Sequence, residues 1–344
     1  MKRCKIIIRY RFQKSLFYHA YLLLKDRGKR LSFKKKFPMS RTAQIKAKMA
    51  WLLYGLHAND FYRLSCENRP WSEIRNLISY RFCTCLYHVV NGSSWRVLHD
   101  KYQSYLLFSE FYKRKMTFIS TEDIARGNAA EKIREFMGRG HQKIVVKQNG
   151  LNQGKGINLF DNADNVCKFL IDGKRGGVLE ELIVQDKELS EFNSSSVNTL
   201  RINTMNYGNG VVEVLWPCLR MGRAGSFVDN AGAGGIFGAI DSTNGTIIGA
   251  ADEHQHTYQE HPDSHKQLIG YIIPRWHEAC ELVKKAALKL PDVGFIGWDL
   301  ALTADGWVMV EGNHEPLIIW QIASGVGIRK KFHEIEQRTV YKRE

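Results

Sequence analysis

The sequence predicts an α+β protein with a mostly helical N-terminal region, and three observations carry this prediction. Residues 51–111 are rich in Trp, Tyr, Leu and Arg and contain few β-branched runs, which is typical of helices. From about Met116 the pattern changes to short strands around glycine-containing loops. Near the end, two apolar strands are joined through Ala304-Asp305-Gly306, and Asp-Gly is a strong hairpin signal.

Each element follows from a local pattern. Residues 72–78 carry apolar side chains at helical spacing, whereas 143–147 (Lys-Ile-Val-Val-Lys) is a short strand of the buried type. The further predictions are strands at 157–160, 177–184, 199–206, 211–221, 247–250, 294–303 and 307–311, and helices at 164–171 and 274–290. These elements divide the chain into four segments: a basic arm (1–50), a mostly helical region (51–115), a small lobe (116–178) and a large lobe (179–335).

The positive charge is confined to the N-terminal arm. The 344 residues include 50 Lys+Arg and 35 Asp+Glu, a formal charge of +15, but residues 1–50 alone hold 16 basic residues and one acid. The remaining residues are neutral, with 34 of each sign. Such an arm can meet RNA phosphates, anionic lipid headgroups or water. No stretch reaches the roughly 18 uncharged apolar residues that a membrane-spanning helix needs.

Targeting signals and cysteines indicate the compartment. A basic run follows the short apolar stretch at 15–24, where a secretory leader would have the small residues of its cleavage site, so secretion is not expected. The seven cysteines are scattered and include no paired CxxC, which indicates reduced thiols in a cytoplasmic protein.

The first group of candidate residues is Lys147 and the glycine loop 150–156. Glycines allow the backbone to approach a polyphosphate and to aim its N–H groups at it, while a lysine at the end of the preceding strand offers a point charge. The members of this group in the loop are Gly150, Gly154, Lys155 and Gly156. Because the loop lies between two strands rather than before a helix, a flexible hairpin turn is an equal alternative.

The second group comprises Asp299, Glu311 and Asn313 in the terminal hairpin. If the hairpin closes at Asp305-Gly306, Asp299 and Glu311 lie opposite each other, and strand alternation places Glu311 and Asn313 on one face. Two acids and an amide oxygen suit Mg²⁺, which keeps waters and takes substrate phosphates as further ligands. The alternative is a pair of acids at the rim of a sheet, although an unpaired carboxylate among apolar residues is costly.

Two arginines lie inside predicted strands between these groups, Arg201 and Arg220. Each either pairs with an acid for structural reasons or reaches into a site to bind phosphate or carboxylate. The residues alone favour neither interpretation.

Taken in order, these pieces resemble the ATP-grasp superfamily, in which two α+β lobes hold ATP between two sheets. The resemblance covers about residues 95–330 and is closest to the sugar-transfer-associated ATP-grasp group linked with cell-surface polysaccharide synthesis. It rests on Gln185, on 195–201 (Ser-Ser-Val-Asn-Thr-Leu-Arg) and on 311–313 (Glu-Gly-Asn). A wider similarity to RimK-like amino-acid ligases rests on Arg220, 225–227 (Gly-Ser-Phe), Asn230 and Gly234-Gly235.

The resemblance implies a role for each matched position. Lys101 and Lys147 match the two phosphate-contacting lysines, and the loop 150–156 matches the loop that closes over the phosphates. The segment 179–183 matches the adenine hinge. Its matched residues are Glu180, Glu181, Leu182 and Ile183, with the backbone of Glu181 and Ile183 reading the base, Glu188 placed for the ribose, and the choice between Glu180 and Glu181 as hinge acid open. Arg201 and Arg220 match cationic positions near the transferred phosphoryl group, and Asp299, Glu311 and Asn313 match the metal ligands.

Two departures from the family pattern affect the active site. Many relatives carry an arginine two residues before the first metal-binding acid, and here that position is Gly297. The family's usual N-terminal Rossmann-like lobe, which shapes the acceptor site, is not legible in residues 1–95.

The resemblance implies a ligase that uses ATP and Mg²⁺, with Mn²⁺ as a substitute, and joins a small-molecule carboxylate to an amine or sugar-linked acceptor through an acyl-phosphate. Loss of Asp299 or Glu311 is then expected to abolish ATP turnover with folding intact. The alternatives are a kinase that stops at a phosphate ester, and a degenerate ATP-grasp protein that binds RNA or membrane through its arm. For the arm, the mixture of bases with Phe12, Phe17, Tyr18 and Leu22 to Leu24 favours an anionic membrane surface on its cytoplasmic side over nucleic acid.

Overall fold

The structure is a computed structural model and describes residues 2–25, 39–138, 143–148, 157–223, 225 and 234–341. The described part of the chain contains two antiparallel sheets, one of four strands and one of six, with helices packed against each. This confirms the predicted α+β class with two lobes and a helical N-terminal region.

The described part of the N-terminal region is mostly helical. Its α-helices are α1 (Lys2–Gln13), α2 (Leu16–Lys25), α3 (Arg41–Tyr54), α4 (Ala58–Arg63), α5 (Trp71–Ile74), α6 (Tyr80–Val90), α7 (Arg96–His99) and α8 (Lys101–Tyr112). The helical spacing of 72–78 gives only the single turn α5. The reason is tertiary: the side chain of Gln321 accepts a hydrogen bond from the Ile78 N–H (2.9 Å) and donates one to the Ile78 carbonyl (3.0 Å), which holds this backbone extended.

The small lobe is a four-stranded sheet with helices on one side. Its elements are β1 (Met116–Ile119), α9 (Thr121–Ala125), α10 (Ala129–Met137), β2 (Ile144–Gln148), β3 (Ile157–Phe160), α11 (Ala163–Asp172) and β4 (Gly177–Glu181), with strand order β1-β4-β2-β3. Ile133 of α10 and Leu170 of α11 are fully buried in one core with Val146 and Leu179 of the sheet. The strand predicted at 177–184 ends at Glu181, because the chain then crosses to the large lobe, where the Asp186 N–H donates to the Leu302 carbonyl at 2.8 Å.

The large lobe is a six-stranded sheet with strand order β10-β9-β5-β6-β7-β8. Its elements are α12 (Lys187–Ser190), β5 (Thr199–Asn206), β6 (Val212–Met221), β7 (Ile236–Ile240), β8 (Ile247–Ala251), α13 (Trp276–Leu288), β9 (Phe295–Thr303), β10 (Gly306–Asn313), α14 (Trp320–Ser324) and α15 (Arg329–Thr339). One face of the sheet is covered by α13, whose residues Ala279, Val283 and Ala286 are fully buried there.

The second face of the large sheet carries the N-terminal region. Tyr10 of α1, Tyr87 of α6 and Phe332 of α15 share a core with Trp216 and Phe295 of the sheet. Helices α1 and α6 therefore pack on the large lobe, while α3, α4 and α5 share a core of their own. The packing on the large lobe brings α6 beside the polar end of the same sheet face.

Candidate active site

A row of charged side chains crosses three neighbouring strands on one face of the large sheet. Glu311 of β10 lies opposite Asp299 of β9, and Asp299 lies opposite Arg201 of β5. Directly opposed residues project from the same face of an antiparallel pair, so the three side chains meet. The predicted pairing of Asp299 with Glu311 is therefore present in the structure.

The pairing arises in a way that the sequence does not show. The turn is tight, with Thr303 opposite Gly306, and regular pairing from there would place Asp299 opposite Val310. The register shifts between Met309 and Glu311, which is the signature of a β-bulge. The extra residue re-aims the strand and brings Glu311 opposite Asp299, as bulges do beside functional sites.

Asp299 is the centre of the ion pairs in this row. Its carboxylate is 2% exposed and accepts from Arg201 through both Nε and Nη2, the latter at 2.7 Å from Oδ2. Arg220 of β6 donates from Nη1 to the same Oδ2 at 3.1 Å. Burial acts to raise the pKa of Asp299, but the charges of Arg201 and Arg220 outweigh it and hold this pKa below its usual range. Asp299 is therefore ionised at neutral pH.

The predicted metal ligands come together and fit a hard cation. Glu311 lies opposite Asp299, and Asn313 donates from Nδ2 to Glu311 Oε1 at 3.2 Å. Two carboxylates and an amide oxygen in one place are the donors that Mg²⁺ prefers. Both oxygens of Asp299 accept from arginines, and a metal bound to Asp299 would share this carboxylate with them. Among the described residues, no group of three or more His, Cys, Asp or Glu side chains is placed as a metal site.

The position that carries an arginine in many relatives is closed by packing. A Cβ atom on Gly297 would lie 2.5 Å from Cβ of Pro316 and 3.0 Å from the side-chain oxygen of Asn203. A side chain at residue 297 would therefore require Pro316 to shift, and Arg201 lies on the strand next to Asp299.

Helix α6 fixes the segment that follows Asn313. The Tyr87 hydroxyl donates to the Pro316 carbonyl at 3.0 Å, and Asn91 Nδ2 donates to the His314 carbonyl at 2.9 Å. Burial raises the pKa of Tyr87, while the nearby charge of Arg201 acts in the opposite sense. Through these two hydrogen bonds the N-terminal region holds the segment that follows Asn313. Sequence reasoning did not single out Tyr87 or Asn91, since neither has a local pattern that points to these contacts.

A second buried charge group joins the two lobes. Glu180 of β4 is 2% exposed and forms ion pairs with Lys147 of β2 and Arg114, which donates from Nη2 to Glu180 Oε2 at 2.6 Å. Arg114 also donates from Nη1 to the Met309 carbonyl of β10 at 2.6 Å. Burial opposes ionisation of Glu180, but the charges of Lys147 and Arg114 hold its pKa below the usual range. Arg114 thus connects the small sheet to the strand that carries Glu311.

A family model described as sugar-transfer associated ATP-grasp matches residues 161–337, which is more than half of the chain. The chain belongs to the sugar-transfer associated ATP-grasp family. Curated protein sequences gave no match. The matched residues include both charged strands of the terminal hairpin, so the predicted family is confirmed.

Several solved structures are similar to this ATP-grasp chain at low identity. They include D-alanyl-alanine synthetase A from Vibrio cholerae O1 biovar eltor (13% identity, TM-score 0.45, 72% of this chain and 66% of that one). The ATP-grasp ligase PsnB complexed with precursor peptide PsnA2 and AMPPNP is 11% identical with a TM-score of 0.43, over 76% of this chain and 66% of that one. The D-alanine-D-alanine ligase from Coxiella burnetii is 12% identical with a TM-score of 0.43, over 76% of this chain and 64% of that one. The chain spans less than two thirds of the length of each, and the family assignment rests on the family model.

The ATP-grasp hinge predicted at 179–183 lies where the chain leaves the small sheet. The Glu181 carboxylate accepts from the Lys115 N–H at 2.8 Å, whereas Glu180 points to Lys147. Within the described residues, the backbone groups of Leu182 and Ile183 bond to no other backbone group. The two acids therefore differ in surroundings: Glu180 belongs to the ion-pair group and Glu181 is held by backbone.

Gln185, one of the residues on which the resemblance rests, organises the approach to Arg201. Its Oε1 accepts from the Asn198 N–H at 2.5 Å, and its Nε2 donates to the carbonyls of Asn193 (3.2 Å) and Ser196 (3.3 Å). The side chain thereby fixes the turn that enters β5 directly before Arg201.

The remaining predicted residues fall in three places. Lys101 is the first residue of α8, whose N-cap is Asp100, and it forms no ion pair with any residue that the structure describes. Glu188 is exposed on the short helix α12. Gly150, Gly154, Lys155 and Gly156 lie outside the described residues.

Arg114 is the functional candidate that sequence reasoning missed in the small lobe. It stands in a basic run (113–115, Lys-Arg-Lys) directly before β1, where nothing local separates it from its neighbours. Its side chain is 7% exposed, and that burial of a cation is the signal, visible only in the fold.

Proposed function

We propose that this ATP-grasp protein is an ATP- and Mg²⁺-dependent ligase that joins a small-molecule carboxylate to an amine or another nucleophile. The observation that carries the proposal is the row Arg201, Asp299 and Glu311, with Arg220 and Asn313 beside it. This row combines oxygen ligands for a hard cation with two guanidinium groups that suit phosphoryl oxygens. The family name supports an acceptor linked to sugar transfer, hence a role in cell-surface polysaccharide biosynthesis or modification.

The proposed reaction has two steps. A carboxylate oxygen of the substrate attacks the γ-phosphorus of ATP, the bond from that phosphorus to the β-phosphate oxygen breaks, and ADP leaves. The nucleophile then attacks the acyl carbon, inorganic phosphate leaves with the C–O bonding pair, and the nucleophile loses a proton. Each bond that forms is matched by one that breaks, and neither step needs an oxidant or reductant.

The chain's own residues position the reactants and balance charge. Glu311, Asn313 and Asp299 would hold the metal, which when bound neutralises phosphate charge. Arg220, whose bond to Asp299 is the longer one, would turn from the carboxylate to the phosphoryl oxygens, while Arg201 keeps Asp299 in place. Preorganised cations at the transferred group are the main means by which proteins accelerate phosphoryl transfer.

The two lysines and the hinge would hold the nucleotide. Lys147 reaches the phosphates from the small sheet, Lys101 from the start of α8, and the backbone of Ile183 meets the base edge. Glu188, exposed on α12, is placed for the ribose. The glycine loop 150–156 would close over the phosphates. A location in the cytoplasm, peripheral to the inner face of the membrane, belongs to the same proposal.

The test is a screen of amino acids and uronic acids, each with an amino-sugar acceptor, for stimulated release of ADP. Product masses and trapping with hydroxylamine follow. A hydroxamate requires an acyl-phosphate and supports the ligase, whereas a stable phosphate ester identifies a kinase and overturns the proposal. Glu311→Gln is the control, because it removes one metal-binding charge while keeping the shape of the side chain.

A further inference from the structure

The first three helices present a set of exposed apolar side chains. Those at least 46% exposed are Ile8 and Phe12 of α1, Leu16, Phe17 and Tyr21 of α2, and Ile45, Met49 and Leu53 of α3. Phe17 reaches 82%. The three side chains of α3 are spaced by four residues and so form one stripe along the helix, opposite the buried Ala43, Ala47 and Ala50.

The stripe belongs to a surface that is fixed to the large lobe. Tyr10 of α1 and Lys14, directly after α1, both bond to Glu336 of α15, a carboxylate that is 1% exposed. His19 of α2 contacts the Leu52 carbonyl of α3 through Nδ1 at 3.2 Å. Lys46 of α3 donates to the Glu67 carbonyl at 2.9 Å. The exposed apolar groups are therefore presented by a docked surface, in contrast to a loose arm.

The same part of the chain carries the whole excess of positive charge. Residues 1–50 hold 16 basic residues and one acid, and the rest of the chain is balanced. Arg11, Arg41 and Lys48 are exposed on α1 and α3. The sequence between α2 and α3 adds Arg27, Lys29, Arg30, Lys34, Lys35 and Lys36. Bases beside exposed aliphatic and aromatic groups match a surface that is negative outside and apolar just beneath.

We infer that α1, α2 and α3 form a docking surface for an anionic lipid bilayer, with the apolar set at the level of the acyl chains and the bases at the headgroups. This deepens the peripheral location proposed above and rests on it, but not on ATP turnover. A second copy of the chain is the poorer occupant, because the two basic surfaces would repel each other. RNA is also poorer, because nucleic-acid grooves use aromatic platforms, whereas five of the eight exposed apolar side chains, Ile8, Leu16 and the three of the α3 stripe, have no ring to stack on.

The experiment is co-sedimentation of the full chain, without nucleotide, with two kinds of vesicle. One kind is phosphatidylcholine alone, and the other is equal parts of phosphatidylcholine and phosphatidylglycerol. We expect pelleting only with the anionic vesicles, weakened by salt. Replacing Ile45, Met49 and Leu53 by Gln should lower the partition coefficient roughly tenfold or more, since three apolar contacts are lost.

A matched control removes three exposed apolar groups from the neutral body: Ile171, Ile272 and Val326, each at least 50% exposed, changed to Gln. Its partitioning should equal that of the wild type. Equal losses in both variants, equal pelleting with both vesicles, or no pelleting at all would each overturn the inference. So would dimer formation that the α3 variant abolishes, or binding of polyuridylate that is lost in the α3 variant while vesicle binding is unchanged. A chain that binds anionic vesicles yet fails the ADP-release screen would overturn the proposed function alone.

Discussion

Asp299 and Glu311 are both predicted metal ligands, but their surroundings imply that replacing Asp299 costs more folding free energy than replacing Glu311. Asp299→Asn would leave Arg201 and Arg220, whose side chains are only 11% and 13% exposed, beside a neutral amide. Removing one partner of a buried ion pair costs about 3–5 kcal/mol. Glu311→Gln would disturb a half-buried side chain with one 3.2 Å bond from Asn313. A bond of that kind contributes about 1 kcal/mol or less.

These costs correspond to a measurable difference in melting temperature. In a unit of 150–250 residues, 1 kcal/mol shifts the melting temperature by about 2–4 °C. The Asp299→Asn protein should therefore melt at least about 6 °C below the wild type, given the lower bound of about 3 kcal/mol. Glu311→Gln should melt close to the wild type. The sequence alone predicts that both losses spare the fold, and the buried arginines change this expectation for Asp299.

The assay is thermal unfolding followed by tryptophan fluorescence, together with Mg²⁺-dependent ADP release for each protein. Glu311→Gln should lose ADP release while keeping its stability, which makes it the clean test of the metal site. An Asp299→Asn protein that melts with the wild type would refute the reasoning about the ion pairs. Full ADP release by a correctly folded Glu311→Gln protein would refute the metal assignment.

The remaining predictions concern other parts of the site. Lys147→Met should weaken ATP binding by about tenfold or more in a fluorescence titration, since it removes one charge from the phosphates; unchanged affinity would remove Lys147 from the nucleotide site. Tyr87→Phe should raise the Mg²⁺ concentration needed for half-maximal turnover, because it frees the Pro316 carbonyl, and an unchanged Mg²⁺ titration would show that this hydrogen bond does not position the metal strand. Stability should be steady above the ordinary carboxyl range and fall as the pH drops through the depressed pKa of Asp299 and Glu180, because protonation breaks their ion pairs. Urea unfolding of Asp299→Asn should depend less on pH below about pH 4, and equal slopes would contradict this.

The parts of the fold that sequence could predict are those with local signals. The terminal hairpin, the strand predicted at 199–206 and the helix predicted at 164–171 all have a clear period, and the structure places them within a residue or two. The predicted end of β4, residue 184, is three residues too late, because apolar residues continue beyond Glu181 while the chain crosses to the other lobe. Periodicity reports burial along one element and does not report which sheet a residue joins.

The candidate site divides in the same way. Asp299 and Glu311 can be predicted from the sequence, because burying an acid in an apolar strand is costly unless the acid is paired or has a function, and Asn313 follows on the same face. Arg114 and Tyr87 do not, because their partners are distant in sequence: 66 residues separate Arg114 from Glu180, and 229 separate Tyr87 from Pro316. The bulge after Met309 likewise has no signal in the sequence, although it determines which residue lies opposite Asp299.

The two interpretations of the strand arginines, structural pairing and phosphate binding, describe one balanced group. Arg201 and Arg220 offset Asp299 and Glu311, so the row is formally neutral. A metal ion entering alone would add two positive charges beside both guanidinium groups, and a nucleotide entering alone would bring its phosphates beside both carboxylates. Each ligand repels part of a neutral row, whereas the two together meet opposite charges at every position. The neutrality of the row therefore favours joint binding of metal and nucleotide over binding of either one alone.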